Sequence, residues 1–231
     1  MSLLSSLVDL LTLILEGKTP QAIRPLLFGA NLTALTKKSG GIRPIAVGFT
    51  VRRLASKCAC LYAMESIPHL LSPYQLGFGV SGGAEAAVHA ARMYLNHLPP
   101  QKALLKIDFK NAFNSIRRDK MFEAVEAYIP ELLPFVHSVY SAPSTLLWDG
   151  DQILSSEGVQ QGDPLGPMLF CLTIHGLVSS IGSEFKVFYL DDGTMGGDLE
   201  DLSADLRNIE EHGRTIGLTL NVLKSELISH D

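Results

Sequence analysis

Asp191 and Asp192 stand side by side at the end of an apolar run, in FYLDDGTMGG (188–197), and Asp108 ends a second such run in ALLKIDF (103–109). Adjacent acids followed by glycine are ordinary turn residues, so the local reading of 188–197 is a strand ending in a polar turn. The chemical reading is half of a divalent-metal site. A cation that drives phosphoryl or nucleotidyl transfer needs hard oxygen ligands, usually carboxylates carried by different elements. Neighbouring strands ending at Asp108 and Asp191 could bring such a pair together. Mg²⁺ suits the pattern, since it accepts one or two carboxylates and completes its shell with water and substrate phosphates. Spacing alone leaves both readings open.

The elements that must carry these residues follow from periodicity and punctuation. The apolar stretch SLLSSLVDLLTLILEG (2–17) predicts a buried helix: it is too short to span a bilayer, and Asp9 with the missing basic region argues against a signal peptide. TALTKKSGGIRPIAV (33–47) reads as two strands around Ser39-Gly40-Gly41. TVRRLASKCACLYAMESI (50–67) has helical spacing up to Pro68, and SPYQLGFGVSGG (72–83) is irregular. A helix over AEAAVHAARMYLNHL (84–98) ends at Pro99-Pro100, and another spans RRDKMFEAVEAYI (117–129). STLLWDGDQILSS (144–156) is a hairpin turning at Asp149-Gly150, and PLGPMLFCLTIHGLVSSI (164–181) an apolar helix with proline near its start. EFKVFYL (184–190) is a buried-type strand. Leu199, Leu202, Leu206, Ile209 and Ile216 mark one helix face, and LTLNVLKSELIS (218–229) closes with one or two strands. Strands joined by tight turns among helices predict an α+β fold.

Composition sets outer bounds. The 231 residues are 46% hydrophobic and 19% charged, a globular balance with room for a sizeable core. The net charge of -5 weighs against non-specific nucleic-acid binding, though it leaves a local basic groove open. Cys58, Cys60 and Cys171 form neither a disulfide framework nor a zinc motif, which predicts an intracellular setting. The seven histidines show no ligand spacing. LDDGT is close to the DxDGT box of haloacid-dehalogenase-type phosphatases, but Leu190 stands where the nucleophilic Asp would be, so that reading fails.

KIDFKNAF (106–113), QQGDPLGPMLF (160–170), YLDD (189–192) and LTLNVLKSEL (218–227) occur in this order and together resemble the palm motifs of reverse transcriptases, of the non-LTR retrotransposon and group II intron kind. GGIRPIAV (40–47) and YQLGFGVSGGAEAAVHAAR (74–92) resemble that family's fingers motifs, so the likeness runs from Leu35 to Ile228. It implies fingers and palm, with an antiparallel palm sheet packed on helices. It also implies a division into an N-terminal helical segment (1–34), fingers (35–100) and palm (101–231), with 115–160 contributing to the fingers. The sequence stops soon after Lys224, so the thumb and primer-grip hairpin are expected to be missing.

The resemblance also implies roles. Asp108 and Asp191, with the Phe109 carbonyl and, less directly, Asp192, would hold Mg²⁺ or Mn²⁺. Phe113 would block a ribose 2′-hydroxyl; without the resemblance it is an ordinary core residue. Gln161 and Gly162 would lie beneath the incoming base, although QGDP also reads as a helix cap through Asp163. Arg43, with Lys37 or Lys38, would contact the triphosphate, or form a solvated hairpin. Lys224 would protonate pyrophosphate, and Gln75, Gly77 and Arg92 would meet the template. Trp148 fits packing better than base stacking. The implied activity is RNA-directed DNA polymerisation from dNTPs on an RNA template and DNA primer, other domains coming from a longer element protein. The competing class is an inactive remnant that acts as a nucleic-acid-binding or protein-interaction scaffold.

Overall fold

A computed structural model of the chain describes residues 2–36 and 40–229. Ser2 caps the first helix, α1 (Leu3–Leu15), by accepting the Ser5 N–H. A one-turn helix, α2 (Arg24–Leu27), then leads into β1 (Ala30–Thr36) and β2 (Ile42–Gly48), an antiparallel pair from Ala30 opposite Gly48 to Thr36 opposite Ile42. The helical segment expected over 1–34 therefore ends sooner, at the strand that begins with Ala30.

The helix α3 (Thr50–Ala63) stops short of Pro68, which instead sits in the first turn of α4 (Ile67–Leu71). Proline loses nothing there, because a first-turn N–H has no intrahelical acceptor. After α5 (Gly83–Asn96), the strand β3 (Lys102–Ile107) delivers Asp108 at its end. Then come α6 (Ala112–Ser115), α7 (Arg118–Tyr128) and α8 (Leu133–Tyr140). The hairpin of β4 (Ser144–Trp148) and β5 (Asp151–Ser155) turns through Asp149 and Gly150, both at positive φ, as a two-residue loop requires.

The helix α9 (Gly166–Ser180) is apolar on every side and buried on nearly every side, from Met168 through Ile174. It forms the centre of the core. The strands β6 (Phe185–Tyr189) and β7 (Asp192–Asp198) follow, then α10 (Leu199–Thr215) and the short β8 (Glu226–Ile228). Expectation and structure part here: the turn falls at Leu190-Asp191, and DGTMGGD is a strand rather than a loop. Its glycines serve close packing. A Cβ on Gly196 would stand 2.4 Å from the Tyr94 ring, which α5 lays on the sheet.

Among the described residues there are two sheets. One is antiparallel throughout, in the order β6-β7-β3-β8. The other runs β2-β1-β4-β5, where β1 and β4 are parallel and register only Ala30 with Leu146 and Asn31 with Leu147. The architecture is thus α+β, with the all-antiparallel sheet packed on helices. The helix α1 departs from its expected burial. Ile14 is buried, but Leu3 is 88% exposed and Leu4, Val8, Leu10 and Leu13 are exposed too. The helix has contacts with α3 and α8 along one flank, so its apolar residues on other sides face outward. No described helix is long and apolar enough to cross a membrane.

Candidate active site

The register of the antiparallel sheet sets Ile107 opposite Gly193, so the end of β3 lies beside the β6–β7 loop. Asp108 and Asp191 come together there, lining one cleft of about 560 Å³. The loop is tight. Leu190 sits at φ 57°, a conformation unfavourable for a residue with a bulky side chain. Gln75 holds it: its Oε1 accepts the Leu190 N–H at 2.8 Å, and its Nε2 donates to the Leu190 carbonyl at 3.1 Å. On either side of Gln75, the Leu76 N–H donates to the Phe188 carbonyl and the Phe188 N–H to the Tyr74 carbonyl.

This corrects one expected template contact. Gln75 is 1% exposed, its Oε1 accepting from Leu190 and Gly77 and its Nε2 donating to Leu190, so its side chain is turned into the fold rather than toward a nucleic-acid strand. Gly77 donates its N–H to the same Gln75 oxygen and belongs to the same brace. The third, Arg92, is exposed on α5 and lines a different groove of about 440 Å³. That groove also takes Asp192, Tyr189 and Lys106. Asp192 is paired with Tyr189, and neighbouring strand residues face opposite ways, so it does not line the cleft of Asp108 and Asp191.

Asp108 is anchored by a residue the sequence did not single out. Asn221 donates from Nδ2 to Asp108 Oδ2 at 2.8 Å, and its backbone N–H donates to the Asp108 carbonyl at 2.8 Å. Lys224 Nζ lies 3.6 Å from the same Oδ2. Burial pushes the Asp191 carboxyl above its ordinary range, and the nearby charges of Asp192 and Asp108 push it further, while Arg43 pulls the other way. Two carboxylates therefore meet in one cleft that Phe109 also lines, and carboxylate oxygens are donors that fit a hard divalent cation. No group of three or more His, Cys, Asp or Glu residues is placed to hold a metal ion among the described residues, and Mg²⁺ commonly completes its shell with water and substrate oxygens.

Arg43 reaches the cleft from β2. Lys37 and Lys38 lie outside the described residues. Past Asp191 the space continues along Phe113, Gln161 and Gly162. Phe113 is stacked on Phe170 of α9 with ring centroids 4.5 Å apart, so a core residue fixes its orientation. The Gln161 carbonyl accepts the Ala46 N–H at 2.6 Å, and Gly162 has φ 115°, where a Cβ would come 2.5 Å from the Ala46 oxygen. Only glycine fits that approach. Gln161 Oε1 is buried and makes no hydrogen bond among the described residues.

Of the histidines, His175 lies edge-on to Tyr128 and His137 against Phe122; His230 is outside the described residues. Asn221 gave no signal in sequence, and Gln75 none of its bracing role, because each is defined by a partner more than a hundred residues away.

Residues 35–231 match the family model described as reverse transcriptase (RNA-dependent DNA polymerase). The Retrotransposable element SLACS 132 kDa protein of Trypanosoma brucei gambiense is 28% identical over 86% of this chain, which spans 17% of that protein. The Pol polyprotein of the type-2 retrotransposable element R2DM of Drosophila melanogaster is 26% identical over 66% of the chain and matched over 15% of its own length. The fold is similar to that of a telomerase from Candida tropicalis truncated of its C-terminal domain, with TM-score 0.66, 13% identity, and 88% of this chain and 50% of that one covered. It is similar also to the RNA-dependent RNA polymerase of a human picobirnavirus, with TM-score 0.59, 15% identity, and 87% and 42% covered. With its fingers and palm and its paired strand-end carboxylates, the chain belongs to the reverse transcriptase (RNA-dependent DNA polymerase) family.

Proposed function

We propose that this chain is the fingers and palm of an RNA-directed DNA polymerase from a retrotransposon protein, extending a DNA primer with dNTPs on an RNA template. The observation that carries the reading is the meeting of Asp108 and Asp191 in a cleft walled by Arg43, Phe113 and Gln161. In this reading the sheet containing β1 and β2, joined by β4 and β5, belongs to the fingers, and the antiparallel sheet to the palm.

Asp108, Asp191 and the Phe109 carbonyl would hold Mg²⁺, or Mn²⁺ in its place; bound there, it would supply the charge that favours ionisation of a primer 3′-hydroxyl and offsets that of departing pyrophosphate. The chain's residues do the rest by position. Asn221 orients Asp108, and Gln75 fixes the loop that presents Asp191. Arg43 grips triphosphate oxygens, which its planar fork can do with two hydrogen bonds. Phe113, held flat by Phe170, closes the space where a ribose 2′-hydroxyl would sit. Gln161 and Gly162 support the nascent base pair. Lys224, beside Asp108, supplies a proton to the pyrophosphate. Template choice comes from base pairing, so the protein needs only to hold the strands. Asp192 and Arg92 line the groove beyond the β6–β7 hairpin; in this reading Asp192 is not a direct metal ligand, and Arg92 stays a candidate contact for the template. A thumb, a nuclease or other domains would come from the remainder of a longer protein.

Primer extension on an RNA template with Mg²⁺ or Mn²⁺ tests this, comparing the native chain with Asp191→Ala. Extension that disappears in the variant is the expected result. If neither protein extends and Mn²⁺ binding, followed by its electron paramagnetic resonance, does not depend on Asp191, the scaffold reading replaces this one.

A further inference from the structure

Behind Gln161 and Gly162 lies a buried ion pair that the polymerase reading does not use. The side chains of Arg52, in α3, and Asp163 are 1% and 2% exposed, and Arg52 Nη2 donates to Asp163 Oδ2 at 2.9 Å. The Tyr140 hydroxyl donates to the same oxygen at 2.7 Å, and Asp163 Oδ1 accepts the Leu165 N–H at 3.0 Å. Arg52 Nη1 donates to Gln160 Oε1 at 2.5 Å and also to the Phe28 carbonyl. Gln160 in turn donates to Ser144 Oγ at 2.6 Å.

One guanidinium therefore holds the chain on both sides of Gln161-Gly162, at Gln160 and at Asp163. The two residues between them, Gln161 and Gly162, line the cleft together with these anchors. The same guanidinium is tied to the residue before Gly29 and β1, and its helix begins two residues after β2. The far wall is thus fixed too: β2 carries Arg43, and its Ala46 N–H meets the Gln161 carbonyl. Stability alone gives a weak reason for such a pair, because desolvating two charges costs about as much as their attraction returns, and apolar residues of similar size serve as well. Burial works to lower Arg52 and raise Asp163, yet Arg52 moves up and Asp163 down, because the pair's attraction and the interactions with Tyr140 and, for Asp163, the Leu165 N–H together outweigh it.

We propose that the Arg52–Asp163 pair is a positioning device that sets the width of the nucleotide cleft, by clamping the Gln161-Gly162 turn against the strand that bears Arg43. Its catalytic consequence rests on the polymerase reading; its structural consequence does not.

The test replaces both charges, Arg52→Met with Asp163→Leu, so that no unpaired ion is left buried and the chain still folds. Single-nucleotide incorporation should show KM for dNTP raised about tenfold or more with kcat within about threefold, the pattern of lost substrate positioning. Hydrogen exchange at the Ala46 amide should accelerate while the β1–β2 ladder amides keep their protection. Ile209→Val, a buried truncation in α10 outside the clamp, should leave both readouts unchanged. An unaltered KM, or an Ala46 amide as protected as in the native chain, overturns the proposal. A native chain that extends no primer would sink the polymerase reading instead, and Ala46 exchange would still decide whether the pair holds the turn.

Discussion

The two sheets of this molecule are built to different standards. In the sheet that carries Asp108 and Asp191, the inward residues Ala103, Leu105, Ile107 and Met195 are buried against the core, and α10 packs on β7. In the sheet that carries Arg43, β5 is exposed along most of its length and β1 from Thr33 onward. The second sheet is held to the rest by a few defined ties: the Arg52 network, the Ala46–Gln161 hydrogen bond and the Arg118 fork that donates to Ser155 and Gly158. Chemistry that needs carboxylates at fixed separation rests on the dense sheet. In the proposed function, gripping a nucleotide that must enter and leave would rest on the sparse one, where buried apolar contacts are few and local opening is cheap.

The contrast can be broken by measurement. Met195→Ala, in the dense sheet, should cost about 2–5 kcal/mol, the range for emptying a buried methionine site. A urea midpoint close to the native one would mean that this sheet is not the stiffer of the two. Gln75→Leu comes next. It strands the Leu190 N–H and carbonyl, at about 1–3 kcal/mol per group, and should slow extension by more than the lost folded fraction explains. Activity that tracks folded protein alone would show that Gln75 braces the fold and not the loop.

A pH-dependent effect belongs to the clamp between the sheets. Burial raises the Asp163 carboxyl, but Arg52 and Tyr140 outweigh it, and its folded value falls below the ordinary one. Its stabilisation is therefore complete above the unfolded-chain value of about 3.9 and is lost as pH falls through the lower folded value. The stability gap between native protein and Asp163→Asn should be widest near neutrality and close below about pH 4. A gap that stays constant to pH 2 would mean that hydrogen bonding, not charge, is what the variant loses. Smallest of all, Leu154→Ala on the exposed face of β5 should stay within about 0.5 kcal/mol of native. A larger loss would show that this sheet carries weight its exposure conceals.

Much of this site was legible before any coordinates. Apolar runs that stop at Asp108 and before Asp191, and Asp149-Gly150 between two alternating segments, are local patterns, and local patterns survive folding. The strand β7 was not legible, since three glycines in seven residues lower strand propensity; its place comes from what must lie on it, Tyr94 and the Phe188 ring. Gln75 was placed on the template and belongs to the loop, because its partner is 115 residues away. Arg52 and Arg53 are indistinguishable in TVRRLASK, and only the fold turns one inward. The helix α1 was expected to be buried because it is apolar, but apolarity states a preference and the surroundings decide whether it is met.

Trp148, the chain's one tryptophan, ends β4 beside the Asp149-Gly150 turn and is 38% exposed. All indole emission therefore originates in the sparse sheet, and none in the sheet that bears the carboxylates. Its wavelength and quenching report that sheet alone, without a label and without background from the rest of the protein. Closure of the cleft on a nucleotide would be visible as a change in light from this one residue, in the native sequence as it stands.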